Sequence, residues 1–292
     1  MTGGDTAERS LEHWTEAGRR EMEAFYAIAG RDYRLLAQAV GWGELLADAA
    51  RGTGRVALLD VACGSGKFPA ALLRHAALGS GVAVDYDLLD PSPFSLAEAR
   101  RQLAPPFRPG AAHESTLQDL DVGAGRFDVV WATHALYALA PDELGRGVAV
   151  FTRAIAPGGW GFIAHASHSA HYLRFYRLFL ADFRAGSGTP YTSSEEIVAA
   201  LAARGTATHV ERLDYAGEAR LEDRLTVEGY LQRCAFDDTV PLAEMEAAPT
   251  LGPYLAACVD ADAGLYRFPQ HVDLIFVGRD LLPPPRAPAR RG

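Results

Sequence analysis

The sequence predicts an α/β protein: a mostly parallel sheet with helices on both faces, preceded by an N-terminal helical arm and interrupted by a helical insertion before its last strand. Three observations carry this. From Val56 onward, short apolar runs alternate with helix-length segments. The first run, Val56-Ala57-Leu58-Leu59, is apolar throughout, as a strand buried on both faces must be. It ends in Asp60 and enters the glycine turn Ala62-Cys63-Gly64-Ser65-Gly66, where a backbone with small side chains can approach a ligand closely.

The elements follow in order. From Ala7 to about Ala50 the pattern is helical, with Leu11, Trp14, Phe25, Leu35, Leu36, Val40, Leu45 and Leu46 set among Arg and Glu. Strands are expected at Val56 to Val61, Tyr86 to Asp90, Phe127 to Ala132, Trp160 to His165, His209 to Tyr215 and His271 to Val277. Helices are expected at Phe68 to His75, Pro93 to Leu103, Pro141 to Ile155, Ser169 to Phe183 and Ser193 to Ala203. Ser92 before Pro93 is a good helix start, a capping hydroxyl followed by a residue that needs no donor. Pro157-Gly158-Gly159 leads into the strand at Trp160. Arg220 to Leu265 is mostly helical. The resulting division is 1–52 for the arm, 53–280 for the main domain, with an insertion at about 217–267 covering a substrate pocket, and a disordered tail over 281–292, where Leu282-Pro283-Pro284-Pro285 opens a segment unfit for helix or sheet.

A chain of 292 residues, 49% of them hydrophobic, can bury a full core without outside help. The net charge of -9 disfavours a nucleic-acid or anionic-membrane surface. Cys63, Cys234 and Cys258 lie far apart and are odd in number, which suggests neither a disulfide framework nor a zinc site. With no apolar run of membrane-spanning length and no secretory start, a cytoplasmic protein acting on a small molecule is expected, its oligomeric state open. His165, His168 and His171 have no accompanying carboxylate, so no metal is expected there.

The turn and its neighbours point to a nucleotide-like ligand. A phosphate-cradling loop is excluded, because Phe68 follows Gly66-Lys67 and Val61 holds the place of its first glycine. A dinucleotide fingerprint is weakened by Pro69 at the third glycine position and stays open as an NAD-dependent reductase. Asp90, at the tip of the second strand and just ahead of Pro91-Ser92-Pro93, is the preferred acceptor for ribose hydroxyls; Asp85 and Asp87 are its rivals.

The run Leu58-Leu59-Asp60-Val61-Ala62-Cys63-Gly64-Ser65-Gly66 resembles the first motif of the class I S-adenosylmethionine-dependent methyltransferases, with Ala62 where a glycine is usual. Phe127-Asp128-Val129-Val130 and Ala156-Pro157-Gly158-Gly159 resemble that family's fourth strand and the turn after the following helix. The resemblance implies a Rossmann-like class I methyltransferase sheet with S-adenosyl-L-methionine as cofactor. It implies cofactor contacts from Asp60, Ala62, Gly64, Gly66, Asp90 and Ser92, from Thr116 and Leu117 beside the adenine, and from Thr133.

The second half is similar to the histamine N-methyltransferase family through Leu88-Leu89-Asp90-Pro91-Ser92, Ala135-Leu136-Tyr137 and Tyr191-Thr192-Ser193-Ser194-Glu195. Carried over by position, that resemblance implies an acid at Asp32 and a pocket residue at His134, where the family has an amide. It implies a second polar contact at Gln270 or His271 and aromatic walls near His171 and Phe175. Tyr33 and Tyr137 stand beside these positions as further substrate candidates. An imidazole can take up a proton near neutral pH, which makes His134 the candidate catalytic residue. The expected activity is methyl transfer to a nitrogen of a small amine or imidazole-like substrate. The alternatives are O-methylation of a small natural-product hydroxyl, and a protein of this fold that binds the cofactor without transferring methyl.

Overall fold

The computed structural model of the chain describes residues 19–79 and 81–281. Leu11, Trp14 and the tail from Leu282 onward lie outside the described residues. Two helices open the fold, α1 (Arg19–Ala39) and α2 (Trp42–Ala49). Ile28, Ala29, Asp32, Leu36, Ala37 and Val40 are all buried, a stripe at helical spacing on one side of α1.

The alternating segments follow as β1 (Arg55–Val61), α3 (Lys67–His75), β2 (Ala83–Leu89), α4 (Pro93–Gln102), β3 (Phe107–His113), β4 (Phe127–Thr133), α5 (Pro141–Ala154) and β5 (Ile155–Ala166). Beyond them come α6 (His171–Phe183), α7 (Ser194–Ala202), β6 (Thr208–Arg220), α8 (Arg224–Ala235), α9 (Leu242–Ala247), α10 (Leu251–Ala257), the short β7 (Val259–Asp260) and β8 (Leu265–Gly278).

The sheet order is β3-β2-β1-β4-β5-β8-β6, with β7 paired to β8. Strands β1 to β5 run parallel to one another, whereas β8 is antiparallel to both β5 and β6. The chain leaves β1 for β2 and β3 on one side and returns to β4 on the other. That reversal opens a crevice at the carboxyl ends of β1 and β4, the usual ligand edge of such sheets.

Side-chain alternation along β1 divides the core. Val56 and Leu58 join Trp42, Phe68, Trp131 and Phe162 on one face, while Leu59 and Val61 join Val130, Ala132, Val148 and Phe151 on the other. Each such fully buried side chain contributes about 1.5–3 kcal/mol relative to exposure. A third cluster, with Tyr176, Tyr230, Leu231, Leu255 and Phe268, lies under α6 and the α8–α10 segment.

Four features depart from the sequence expectation. Strand β3 was not anticipated, because Phe107 is its one buried residue among Arg108, Pro109 and Gly110. Pro157-Gly158-Gly159 lies inside β5 and not ahead of it, where a Cβ on Gly159 would stand 2.6 Å from the Asp128 carbonyl oxygen of β4. The expected helix at Ser169 begins at His171. Strands β6 and β8 extend as one antiparallel ladder from Thr208↔Val277 to Arg220↔Leu265, so the helical insertion occupies only the connection between them.

Candidate active site

The turn after β1 carries three left-handed residues, Ala62, Gly64 and Gly66, with φ of 47°, 51° and 74°. The two glycines serve different ends. A Cβ on Gly66 would lie 2.8 Å from the Ala99 Cα, so this glycine lets α3 start close against α4. A Cβ on Gly64 would meet nothing within 4 Å, because its open side faces a cavity at the sheet edge.

Asp60 supports this turn from beneath. It is buried, and its Oδ2 accepts the Tyr86 hydroxyl at 2.7 Å, which in turn accepts the Trp131 indole N–H at 3.2 Å. Burial pushes its carboxyl pKa up to about 7, opposed in part by the Tyr86 hydrogen bond. Asp90 lines the cavity itself. Its two oxygens accept the backbone N–H groups of Gly64 and Ser92, each at 2.9 Å. Burial raises its pKa and those two bonds act against the rise. Each carboxylate oxygen keeps a second lone pair, the acceptor set a ribose diol requires.

Its rivals are committed elsewhere. Asp85 pairs with Arg55 on the surface, and Asp87 is held by His113, Arg126 and the Ala111 N–H.

Ala62, Gly64, Asp90, Thr116, Leu117 and Thr133 line this one cavity, together with Lys67 and Tyr26. Asp60, Gly66 and Ser92 do not. The Ser92 hydroxyl is buried as the N-cap of α4, accepting the Ser95 N–H at 3.2 Å. The expected contacts at these three residues are not in the cavity lining; they lie behind the turn and the start of α4. The open side of Gly64 and the spare acceptor capacity of Asp90 fit the nucleoside of S-adenosylmethionine.

His134 leaves β4 with φ of 51°, an uncommon backbone state for a residue with a side chain, and donates its N–H to the Ala164 carbonyl at 2.8 Å. This bend puts the imidazole between the cofactor cavity and a second cavity, both of which it lines along with Tyr26, Tyr33 and Tyr137. Its Nε2 lies 2.6 Å from Asp32 Oδ2, a close contact without hydrogen-bond alignment. In the sequence Asp32 stands among Arg31 and Arg34, where a surface ion pair is the ordinary outcome. Instead Arg31 points away to Glu218 and the Ala216 carbonyl, and Asp32 is 3% exposed.

The second cavity has aromatic walls, among them Phe25, Tyr33, Tyr172, Tyr191 and Phe236, and its charged or polar members include Asp32, His134, His165 and Arg233. Arg233 is buried with its guanidinium over the Phe236 ring, 5.4 Å from the centroid. The Tyr33 ring stands edge-on to His134 at 6.0 Å. Burial, and then the Asp32 carboxylate, raises the pKa of the neighbouring Tyr215 hydroxyl, as burial does for Tyr33.

Four expected pocket residues are not brought to either cavity. His171 is fully buried, stacked between Tyr230 and Tyr254, and bonded through Nδ1 to the Tyr254 hydroxyl at 2.7 Å. Burial depresses its pKa to about 3. Phe175, one turn on, packs in the same core. Gln270 is buried against the Tyr230 hydroxyl at 3.4 Å, and His271, on the opposite face of β8, pairs with Asp214 at 2.7 Å. Nor do the three histidines of residues 165–171 converge: His165 bonds the Thr192 carbonyl, His168 pairs with Glu195, and His171 meets Tyr254. The sequence reading missed His165 as a cavity residue, although its place near the carboxyl end of β5 marked it for the ligand edge.

Residues 58–159 match the family model described as a methyltransferase domain. Among solved structures, one from Bacillus halodurans C-125 assigned to the methyltransferases aligns with a TM-score of 0.53 and 14% identity, over 80% of this chain and 96% of that one. Magnesium protoporphyrin IX methyltransferase from Synechocystis PCC 6803, with bound S-adenosylhomocysteine, aligns with a TM-score of 0.51 and 10% identity, over 91% of this chain and 96% of its own. A Thermotoga maritima methyltransferase described as a possible histamine N-methyltransferase reaches a TM-score of 0.47 at 14% identity, over 70% of this chain and 84% of that one, too distant to carry the finer resemblance. No curated protein sequence matches the chain. The likenesses establish the class I fold. Within that fold, residues 58–159 are similar to a methyltransferase domain.

Proposed function

We propose that the protein transfers a methyl group to a nitrogen of a small amine or imidazole-like substrate, bound in the second cavity. The observation that carries this reading is the Asp32 carboxylate: buried in an aromatic-walled cavity, 2.6 Å from His134 Nε2, with the Tyr215 hydroxyl as its neighbour. A buried carboxylate beside one imidazole and one hydroxyl keeps spare acceptor capacity, and an N–H of the substrate would use it.

S-adenosylmethionine, when bound against Gly64 and Asp90, supplies a methyl carbon activated by its sulfonium sulfur. A nitrogen that took up that methyl carbon would carry one N–H proton too many, and the protein's part is to hold the nitrogen and remove that proton. Asp32 holds the nitrogen through Oδ1. With Nε2 turned to Asp32, Nδ1 is the ring nitrogen of His134 left to take the proton. The aromatic walls exclude water and align the substrate, which is most of what a methyl donor that carries its own activation requires.

The test is S-adenosylhomocysteine release with a panel of small amines, imidazoles and phenols, with products located by mass spectrometry. N-methylated product is expected, with His134→Ala lowering kcat about a hundredfold at saturating substrate. Methylation confined to phenolic oxygen would overturn the nitrogen reading.

A further inference from the structure

The second cavity holds a second buried acceptor besides Asp32. His165 ends β5 with its side chain almost wholly buried and in the cavity wall. Its Nε2 lies 2.9 Å from the Thr192 carbonyl oxygen. A carbonyl only accepts, so Nε2 carries the proton and donates it. Burial depresses the imidazole pKa to about 4, so the ring is neutral at physiological pH and Nδ1 keeps a bare lone pair. That Nδ1 is buried and makes no hydrogen bond.

A neutral imidazole whose tautomer is set by a backbone carbonyl is a one-way acceptor. It meets a hydroxyl or N–H and rejects a carbonyl or ether oxygen in the same place, because the two lone pairs would face each other without a proton. Asp32 Oδ1 imposes the same sign at its own position. Two such acceptors among the residues of one aromatic-walled cavity suit an occupant with two separate donors joined by a flat apolar body.

We propose that His165 Nδ1 is a specificity-determining acceptor, selecting an aromatic amine whose ring carries a second donor, an O–H or a ring N–H. This rests on the amine reading above, in which Asp32 takes the first donor. The Thr192 carbonyl acts through His165 as its positioning group: it holds the tautomer and touches no substrate.

Two substitutions separate the imidazole's two bonds. In His165→Gln the side-chain amide reaches the Thr192 carbonyl and the Nδ1 acceptor is lost. In His165→Asn an oxygen stands near the Nδ1 position and the Thr192 bond is lost. The full-length protein, saturated with S-adenosylhomocysteine, is titrated calorimetrically with tyramine and with phenethylamine, which differ only in the phenol O–H.

The wild type is expected to favour tyramine by about tenfold. His165→Gln should reduce that preference to near unity, and His165→Asn should retain most of it. No preference in the wild type, or one unchanged in His165→Gln, overturns the proposal. Should the variants not fold, the 15N shift of His165 Nδ1 in the wild type decides: it moves with tyramine and not with phenethylamine if the proposal holds, and moves with both or neither if it fails. Because these readouts need no turnover, a preserved tyramine preference without N-methyl product would sink the functional reading and leave the role of His165 standing. Failure of both amines to bind would remove both.

Discussion

Asp90 accepts the backbone N–H of Gly64 at 2.9 Å, so the carboxylate that follows β2 also holds the shape of the turn that follows β1. Its other oxygen accepts the Ser92 N–H at 2.9 Å, which anchors the same side chain to the start of α4. One residue thus braces the cradle and presents the lone pairs that a ribose would use. Asp90→Ala should weaken S-adenosylmethionine binding at least about tenfold in a calorimetric titration. An unchanged affinity in the folded variant would remove Asp90 from that role.

The glycines of the turn should separate folding from binding. Gly66→Ala puts a Cβ 2.8 Å from the Ala99 Cα at a left-handed φ, and we expect a loss of about 2 kcal/mol or more in urea unfolding. Gly64→Ala meets open space, so it should cost about 1 kcal/mol and fold, yet bind cofactor poorly because its methyl enters the cavity. Equal effects of the two variants on both measurements would contradict this division.

Asp60 gives the fold a pH dependence of determined sign. Its folded pKa of about 7 lies above the ordinary carboxylate value, so the native state holds a proton that the unfolded chain releases. Its contribution is favourable at the acid end and declines as pH rises from about 4 to about 7. His165 and His171, depressed to about 4 and about 3, act in the opposite sense, their contribution present above the ordinary histidine pKa and lost as pH falls through those values. Asp60→Asn isolates the first effect: relative to wild type, its stability should rise between pH 5 and pH 8 by an amount on the order of 3 kcal/mol. A pH-independent difference between the two proteins would rule out the raised carboxyl.

Asp273 ties the antiparallel end of the sheet together. Arg212 donates to both its oxygens at 2.8 and 3.0 Å, and the Ser194 hydroxyl donates at 2.6 Å, joining β6, β8 and the first residue of α7. Arg212→Ala leaves a 5% exposed carboxylate short of its cation, so unfolding free energy should drop by about 2 kcal/mol. Arg212→Lys should recover part of that, since an ammonium replaces the charge and not the two-pronged geometry.

The parallel half of the sheet was legible because its strands are dense apolar runs and its turns carry glycine and proline where the backbone needs them. An edge strand such as β3, with one buried residue, has no such pattern. The candidate cofactor residues were legible by position, since the ends of β1, β2 and β4 meet at one edge whatever their side chains. The substrate side was harder. His171 and Phe175 share a face of α6, and nothing in their spacing says whether that face meets a cavity or the α8–α10 core. Asp32 shows the converse: its neighbours Arg31 and Arg34 suggested the surface, while its spacing from Ile28, Ala29 and Leu36 already put it on the buried side of α1. His165 was legible only as the end of a strand, because its partner, the Thr192 carbonyl, lies 27 residues away.

The two cavities draw on different stretches of the chain. Ala62, Gly64, Asp90, Thr116 and Thr133 all fall within residues 58–159, the segment that matches the methyltransferase domain. Phe25 and Asp32 come from α1, His165 from the end of β5, and Arg233 and Phe236 from α8 and its cap. Among the described residues, Tyr26, Tyr33, His134 and Tyr137 border both. A protein engineer who wished to retarget this enzyme could therefore graft a foreign arm and cap onto the central segment, leave the donor chamber untouched, and treat those four side chains as the seam across which the graft has to match.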